Sequence, residues 1–357
     1  MLKPRPSPTK ESTSDCLSAP PPVGPLTQTM NCRICGSTQI RELGELEYYV
    51  GFSWMIHECS RCRCRFTKHD DAIYQWLHTH AGSSYGLYNE LAEEFKGLFD
   101  DQDVSVLKRE LCRTSKFRFV IDAAQSLPKR AKVLEIGCSR GYLVSYFIRC
   151  GYDILGTDVS PEAVGSAKAA FGNFFDASDS PAVEQRAPYD LIYHVGTIGC
   201  VKDPLGLTRK LLDMLKPGGR LLFNAPNADS CWLNEHLWID AAPPPDLVTL
   251  FRPGFWREQF SSVADVVEAV ETCSPEQAFR IHLQKLVGRK WQKPVPIPIE
   301  ESLNDFKGIR TNSGSAQERL WDYIEKGAVK LGRLTGTLNV ALSQPSPFGL
   351  LVAMTKR

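Results

Sequence analysis

The sequence predicts an α/β protein: a parallel sheet with crossover helices, preceded by a small cysteine-bearing unit. Three observations carry this. From Ala131 onward, short apolar runs alternate with helical segments, the pattern of strands joined by helices. A glycine turn follows the first of these runs and opens into an apolar helix, over Val133 to Leu143. Ahead of it, Cys32-x-x-Cys35 and Cys59-x-x-Cys62 form two cysteine pairs at metal-knuckle spacing.

The chain divides in that order. Residues 1–29 are rich in Pro, Ser and Thr and nearly free of large apolar side chains, so a disordered tail is expected. Residues 30–68 form the cysteine unit. Residues 69–130 carry apolar positions at helical spacing (Leu87, Leu91, Phe95, Leu98, then Val106 to Val120) and read as a helical connector that can also act as a lid. Residues 131–357 form the main domain, with strands expected at Lys132–Ile136, Asp153–Thr157, Asn173–Phe175, Asp190–His194, Arg220–Phe223, Asp265–Val270 and Leu350–Met354. A polar helical insertion falls at about 274–345.

Charge and hydropathy exclude several functions. With 42 Lys+Arg against 41 Asp+Glu the net charge is +1, so no global field draws the chain to nucleic acid or an anionic bilayer. No apolar run reaches the roughly 18 residues of a membrane span, and the start lacks the apolar stretch of a secretory signal. A cytoplasmic protein is expected. In that reducing setting the 12 cysteines are thiols, six of them scattered singly as packing residues.

The pairs are different. Two knuckles place four sulfurs about one ion, soft thiolates favour zinc, and a closed four-sulfur shell leaves no position for water, so the site is structural. Cys32, Cys35, Cys59 and Cys62 are the expected ligands, with Cys64 and His57 as alternatives within the second pair. Few apolar residues surround them, so the metal would supply much of the unit's folding energy.

In Glu135-Ile136-Gly137-Cys138-Ser139-Arg140-Gly141 the glycines let backbone approach a ligand closely. The third glycine of a dinucleotide fingerprint is absent, and Glu135 would repel a pyrophosphate while attracting a cation. Asp158 ends the next strand, where a carboxylate accepts both hydroxyls of a ribose; Asp176 follows the third strand, in reach of an adenine amino group. Amino acid, ribose, adenine and a sulfonium charge together describe S-adenosylmethionine.

Over about Ala131 to Ala228, and again in the last strand, the sequence resembles the class I S-adenosylmethionine-dependent methyltransferases. The matching pieces are Leu134 to Gly141, Gly156-Thr157-Asp158-Val159-Ser160-Pro161, Tyr189-Asp190-Leu191-Ile192 and Leu215-Lys216-Pro217-Gly218-Gly219-Arg220. The resemblance implies a Rossmann-like sheet of about seven strands with helices on both faces. It places Gly137 and Gly141 on the methionine side, Asp158 at the ribose and Asp176 near the adenine; Glu135, Cys138, Ser139 and Val159 are expected to bind the cofactor beside them. A four-cysteine zinc ribbon ahead of such a domain is similar to one subfamily that methylates sugars and natural-product intermediates. Where many relatives carry an acidic-His pair, this chain reads Gly199-Cys200-Val201-Lys202-Asp203-Pro204, and the insert of the sugar C-methyltransferases is not seen.

A small-molecule acceptor is therefore expected, with N-, O- and C-methylation all open. Oxygen and carbon acceptors need a proton removed, and His194 and His236 stand after the fourth and fifth strands. Trp232 and Trp238 flank His236 in an aromatic stretch that reads as a wall over the acceptor. Tyr85 and Tyr88 are placed to close over the cofactor. Two other classes of function are kept: an RNA methyltransferase whose ribbon grips substrate through Arg33, Arg61, Arg63 and Arg65, and a non-catalytic cofactor-binding scaffold. Oligomeric state is not encoded legibly.

Overall fold

The computed structural model describes residues 31–49, 52–70, 103–230, 237–239, 244–272 and 345–357, with a few isolated positions between 324 and 331. The expected tail, most of the connector, nearly all of the insertion, and Tyr85, Tyr88, Trp232 and His236 lie outside the described residues.

Seven strands build the main sheet: β4 (Lys132–Ile136), β5 (Asp153–Asp158), β6 (Phe175–Ala177), β7 (Tyr189–His194), β8 (Leu215–Pro226), β10 (Ala264–Thr272) and β11 (Pro345–Lys356). Their order is β10-β11-β8-β7-β4-β5-β6. Strands β4 to β8 pair in parallel, while β11 and β10 close one side antiparallel. The third strand lies slightly later than expected, and β8 and β11 are longer at both ends. Chain order reverses at β4, with β5 and β6 to one side and β7 and β8 to the other, and open α/β sheets place their ligand crevice at such a reversal, beyond the carboxyl ends of the strands, here β4 and β7.

The helices begin where local chemistry tells them to. Ser160 caps α4 (Pro161–Phe171), Ser180 caps α5 (Pro181–Gln185) and Asp203 caps α6 (Pro204–Asp213), each by accepting a backbone N–H and each followed by a proline that needs no partner for its nitrogen. Earlier in the chain stand α1 (Val104–Leu111), α2 (Ser115–Ala124) and α3 (Tyr142–Arg149); α7 (Phe255–Phe260) follows β8.

Alternating side chains along each strand divide the core. Val133, Leu191, Tyr193 and Leu222 face α1 to α4, with Leu107, Leu111, Val120 and Phe147 packed on them. Leu134, Ile192, Leu221 and Phe223 face the other way, toward α6, α7 and the cysteine unit. The main core thus reaches back to Leu107, with α1 and α2 packed into it.

The cysteine unit is not a free module. Strands β1 (Ile40–Tyr49), β2 (Phe52–Cys59) and β3 (Arg65–Phe66) form an antiparallel sheet, and β9 (Thr249–Leu250), which follows β8 in the chain, joins its edge against β3. Ile34 and Phe66 share one apolar cluster with Phe251, Phe255 and Trp256.

Candidate functional site

Four thiols come together at the base of the ribbon. The sulfurs of Cys32, Cys35, Cys59 and Cys62 all lie within 4.8 Å of one another. Cys32 Sγ stands 3.7 Å from Cys62 Sγ, and Cys35 Sγ 3.6 Å from Cys59 Sγ. A tetrahedron with metal–sulfur bonds of about 2.3 Å has edges of about 3.8 Å, so the group already has the dimensions of a four-thiolate shell. Two similar turns produce it. Gly36 N–H donates to Cys32 O and Arg63 N–H to Cys59 O, both at 2.8 Å, with φ of +71° at Gly36 and +58° at Arg63. Burial of the thiols is complete or nearly so for Cys32, Cys59 and Cys62.

The alternatives within the second pair are resolved. Cys64 directs its sulfur toward Cys62 O, at 3.7 Å, and His57 stacks on the Phe66 ring at 5.5 Å; neither belongs to the four-sulfur group. The neighbouring arginines are engaged within the fold: Arg33 with backbone carbonyls, Arg65 with Glu58, and Arg63 with Asp229 at 3.5 Å. Arg61 and Arg63 remain exposed.

The second site is the crevice. After β4 the backbone turns at Gly137 (φ +73°) and Gly141 (φ +81°), a region side chains rarely adopt. Space forbids a side chain there as well: a Cβ at Gly137 would lie 2.4 Å from Thr197 Oγ1, and one at Gly141 2.5 Å from the Phe175 ring. Gly137 and Cys138 both donate their N–H to Thr157 O, at 2.7 and 2.9 Å, which pins the loop to β5. The Cys138 side chain is buried.

Ser139, between the glycines, has φ +49°, a strained value for a residue with a side chain. What holds it is Asp158: Oδ2 accepts Ser139 N–H at 2.8 Å, and Oδ1 accepts Ser160 N–H at 2.9 Å. The carboxylate expected at the ribose therefore also ties the glycine loop to the start of α4, with lone pairs left for further donors. Val159 beside it exposes 48% of its surface. Asp176 is partly exposed at the end of β6, and its carboxyl accepts Ser180 Oγ at 2.6 Å and Ala177 N–H at 3.0 Å. The Ser180 hydroxyl holds it below the usual carboxylate range.

Glu135 sits at the same edge but inside. Its Oε2 accepts Tyr193 Oη at 2.9 Å. Burial, aided by Asp158, pushes the carboxyl up to about 8 against the pull of the tyrosine hydroxyl. Glu135, Asp158 and Asp176 thus lie near the carboxyl ends of three adjacent strands, with Glu135 largely protonated near neutrality. Tyr193 and Thr197 escaped sequence reading, because their parts depend on which residues the β4–β7 register sets side by side.

Two residues expected at the acceptor lie in the core. His194 is fully buried on the opposite face from Tyr193, stacked on Phe223 at 4.7 Å, and burial drives its imidazole down to about 3. That burial does not support its expected role as the base. Trp238 is likewise fully buried, within a cluster that includes Leu46, Trp54 and Leu250, and packs the ribbon to the segment after β8 instead of lining a pocket.

Residues 107–263, from α1 to the residue before β10, match a methyltransferase domain family. The chain carries a methyltransferase domain. A ubiquinone biosynthesis O-methyltransferase of Xanthomonas axonopodis pv. citri is 27% identical to it over 157 residues, 42% of this chain and 65% of that protein. The Acinetobacter baumannii protein of the same name is 32% identical over 104 residues, 27% of this chain and 44% of that one. The chain thus spans less than two thirds of these relatives. A SAM-dependent methyltransferase from Archaeoglobus fulgidus aligns with a TM-score of 0.39 at 18% identity, covering 75% of this chain and 99% of that one. The methyltransferase domain holds the whole crevice, from Glu135 to Asp176, and excludes the ribbon. Among the described residues no helix is long and apolar enough to cross a membrane.

Proposed function

We propose that the chain transfers a methyl group from S-adenosylmethionine to a small-molecule acceptor, with one structural zinc ion in the ribbon. The observation that carries this is the crevice at the strand-order reversal, where Glu135 and Asp158 meet a glycine loop with no room for side chains. A cationic amino acid suits Glu135. The ribose hydroxyls suit the remaining lone pairs of Asp158, Val159 offers apolar surface to the base, and Asp176 is the acceptor assigned to the adenine amino group in this reading. Gly137, Cys138, Ser139 and Gly141 present backbone to the methionine part.

The acceptor class to test first is a hydroxyl, since two relatives are named as O-methyltransferases of ubiquinone biosynthesis. In-line methyl transfer asks the protein mainly to align donor and acceptor, and a hydroxyl acceptor adds the removal of a proton. With His194 sealed in the core, His236 is the base in this reading, Trp232 a wall of the acceptor pocket, and Tyr85 and Tyr88 the lid. The closed thiolate shell leaves zinc no open position, so it takes no part in the displacement.

Calorimetric titration with S-adenosylmethionine and S-adenosylhomocysteine tests the cofactor, and transfer of a labelled methyl group to a panel of catechols, sugars and amines tests the acceptor. Micromolar binding with methylation of one class is expected. Absence of binding by either cofactor form would overturn the reading. His236→Ala is expected to lower turnover of a hydroxyl acceptor by about a hundredfold with unchanged cofactor affinity.

A further inference from the structure

Arg33 lies between two thiolate ligands, Cys32 and Cys35, yet its guanidinium leaves the ribbon. Nη2 donates to Val201 O and Lys202 O, both at 2.9 Å, and Nη1 to Val248 O at 3.3 Å and Thr67 O at 3.5 Å. Val201 and Lys202 belong to the loop that leaves β7 at the crevice. The same loop is held from two other sides. Gly199 O accepts the N–H groups of Val248 and Thr249 at 2.9 and 3.0 Å, and a Cβ at Gly199 would lie 2.3 Å from Leu247 and 2.7 Å from Pro226. At its start, Thr197 Oγ1 donates to Ile136 O at 3.2 Å and fills the space beside Gly137, while Gly196 N–H donates to Asn224 Oδ1 at 2.7 Å.

A continuous path thus runs from the metal knuckle through Arg33 to Val201, and from there over a few residues to Thr197 and the glycine loop. A planar fork with several fixed donors suits this use, because one side chain holds carbonyls from both the β7 loop and the segment before β9. The Arg33 backbone sits inside the Cys32–Cys35 turn, where Gly36 N–H donates to Cys32 O at 2.8 Å.

We propose that Arg33 is a positioning residue that couples metal occupancy of the ribbon to cofactor binding at the glycine loop. This rests on the cofactor reading above. Metal in the ribbon orients Arg33, Arg33 holds the β7 loop, and the loop keeps Thr197 against Ile136 and Gly137. Coupling of this kind is reciprocal: if zinc tightens the cofactor, the cofactor must tighten zinc by the same factor.

The test uses the full chain loaded with zinc, and S-adenosylhomocysteine as the probe. Arg33→Ala is expected to retain zinc and to bind the probe about tenfold more weakly, within the range usual for coupled sites. In equilibrium competition with a chromophoric chelator, saturating probe is expected to raise the wild-type affinity for zinc severalfold and to leave that of Arg33→Ala unchanged, a linkage that a merely structural role would not produce. Equal probe affinity in the two proteins, or a wild-type zinc affinity indifferent to the probe, overturns the coupling. Should Arg33→Ala fail to fold, the wild-type competition alone decides. A wild-type chain that binds zinc but no S-adenosylhomocysteine refutes the cofactor reading itself, and the coupling falls with it.

Discussion

Tyr193 Oη donates to Glu135 Oε2 across neighbouring strands, 2.9 Å apart, with both side chains closed off from solvent. The pair places a carboxyl at the crevice that is only partly ionised near neutrality. Folded, Glu135 titrates near 8 instead of near 4.5, so the folded chain holds a proton that the unfolded chain has released between those values. Stability conferred by that proton is complete below about 4.5 and is lost as pH rises through about 8. Ionisation, in contrast, favours a cationic ligand. Affinity for S-adenosylmethionine is therefore expected to rise from about pH 6 to about 8, and Glu135→Gln to flatten both profiles. Calorimetric binding and thermal melts across that range check it; a pH-independent wild-type affinity would contradict it.

Asp158→Ala removes the acceptor for two backbone N–H groups, those of Ser139 and Ser160. Hydrogen bonds to a charged group contribute about 1.5–3 kcal/mol each, so a loss of about 2 kcal/mol or more in stability should accompany the loss of cofactor affinity. Denaturant unfolding reads the first and calorimetry the second. A variant that loses cofactor while keeping full stability would show that the tie to Ser139 contributes little.

In the ribbon, about one zinc per chain is expected by elemental analysis, and Cys59→Ser should abolish it. Ile34 and Phe66 pack in one cluster with Phe251, Phe255 and Trp256. Losing the metal should therefore lower the melting temperature of the methyltransferase domain itself, not melt a separate ribbon. Hydrogen exchange at Phe251 to Phe260 before and after chelation measures this.

For His194, the expected outcome is that turnover survives His194→Phe. The ring already stacks on Phe223, and its nitrogens find no hydrogen-bond partner among the described residues, so replacement is expected to be neutral or stabilising by about 1 kcal/mol. Burial lowers the folded value to about 3 from 6.5, so the native chain is destabilised as pH falls below about 6.5 and increasingly down to about 3. The variant should resist acid better in that window, as followed by acid melts.

Local signals in the chain determined much of this protein. Alternating apolar runs and paired cysteines each act over a few residues, so the strands of the main sheet and the four thiols were readable from order alone. Gly137 and Gly141 were readable too, because only glycine takes those φ values without strain. What tertiary structure alone decided was which distant residues meet. The β4–β7 register set Tyr193 against Glu135 and turned His194 to the other face, and a shift of one residue would have exchanged them. The pairing of β3 with β9 joined the ribbon to the methyltransferase domain and turned Arg33 from a candidate nucleic-acid contact into a brace on the β7 loop. Those outcomes depend on contacts between residues as many as 215 positions apart, and no local pattern carries them.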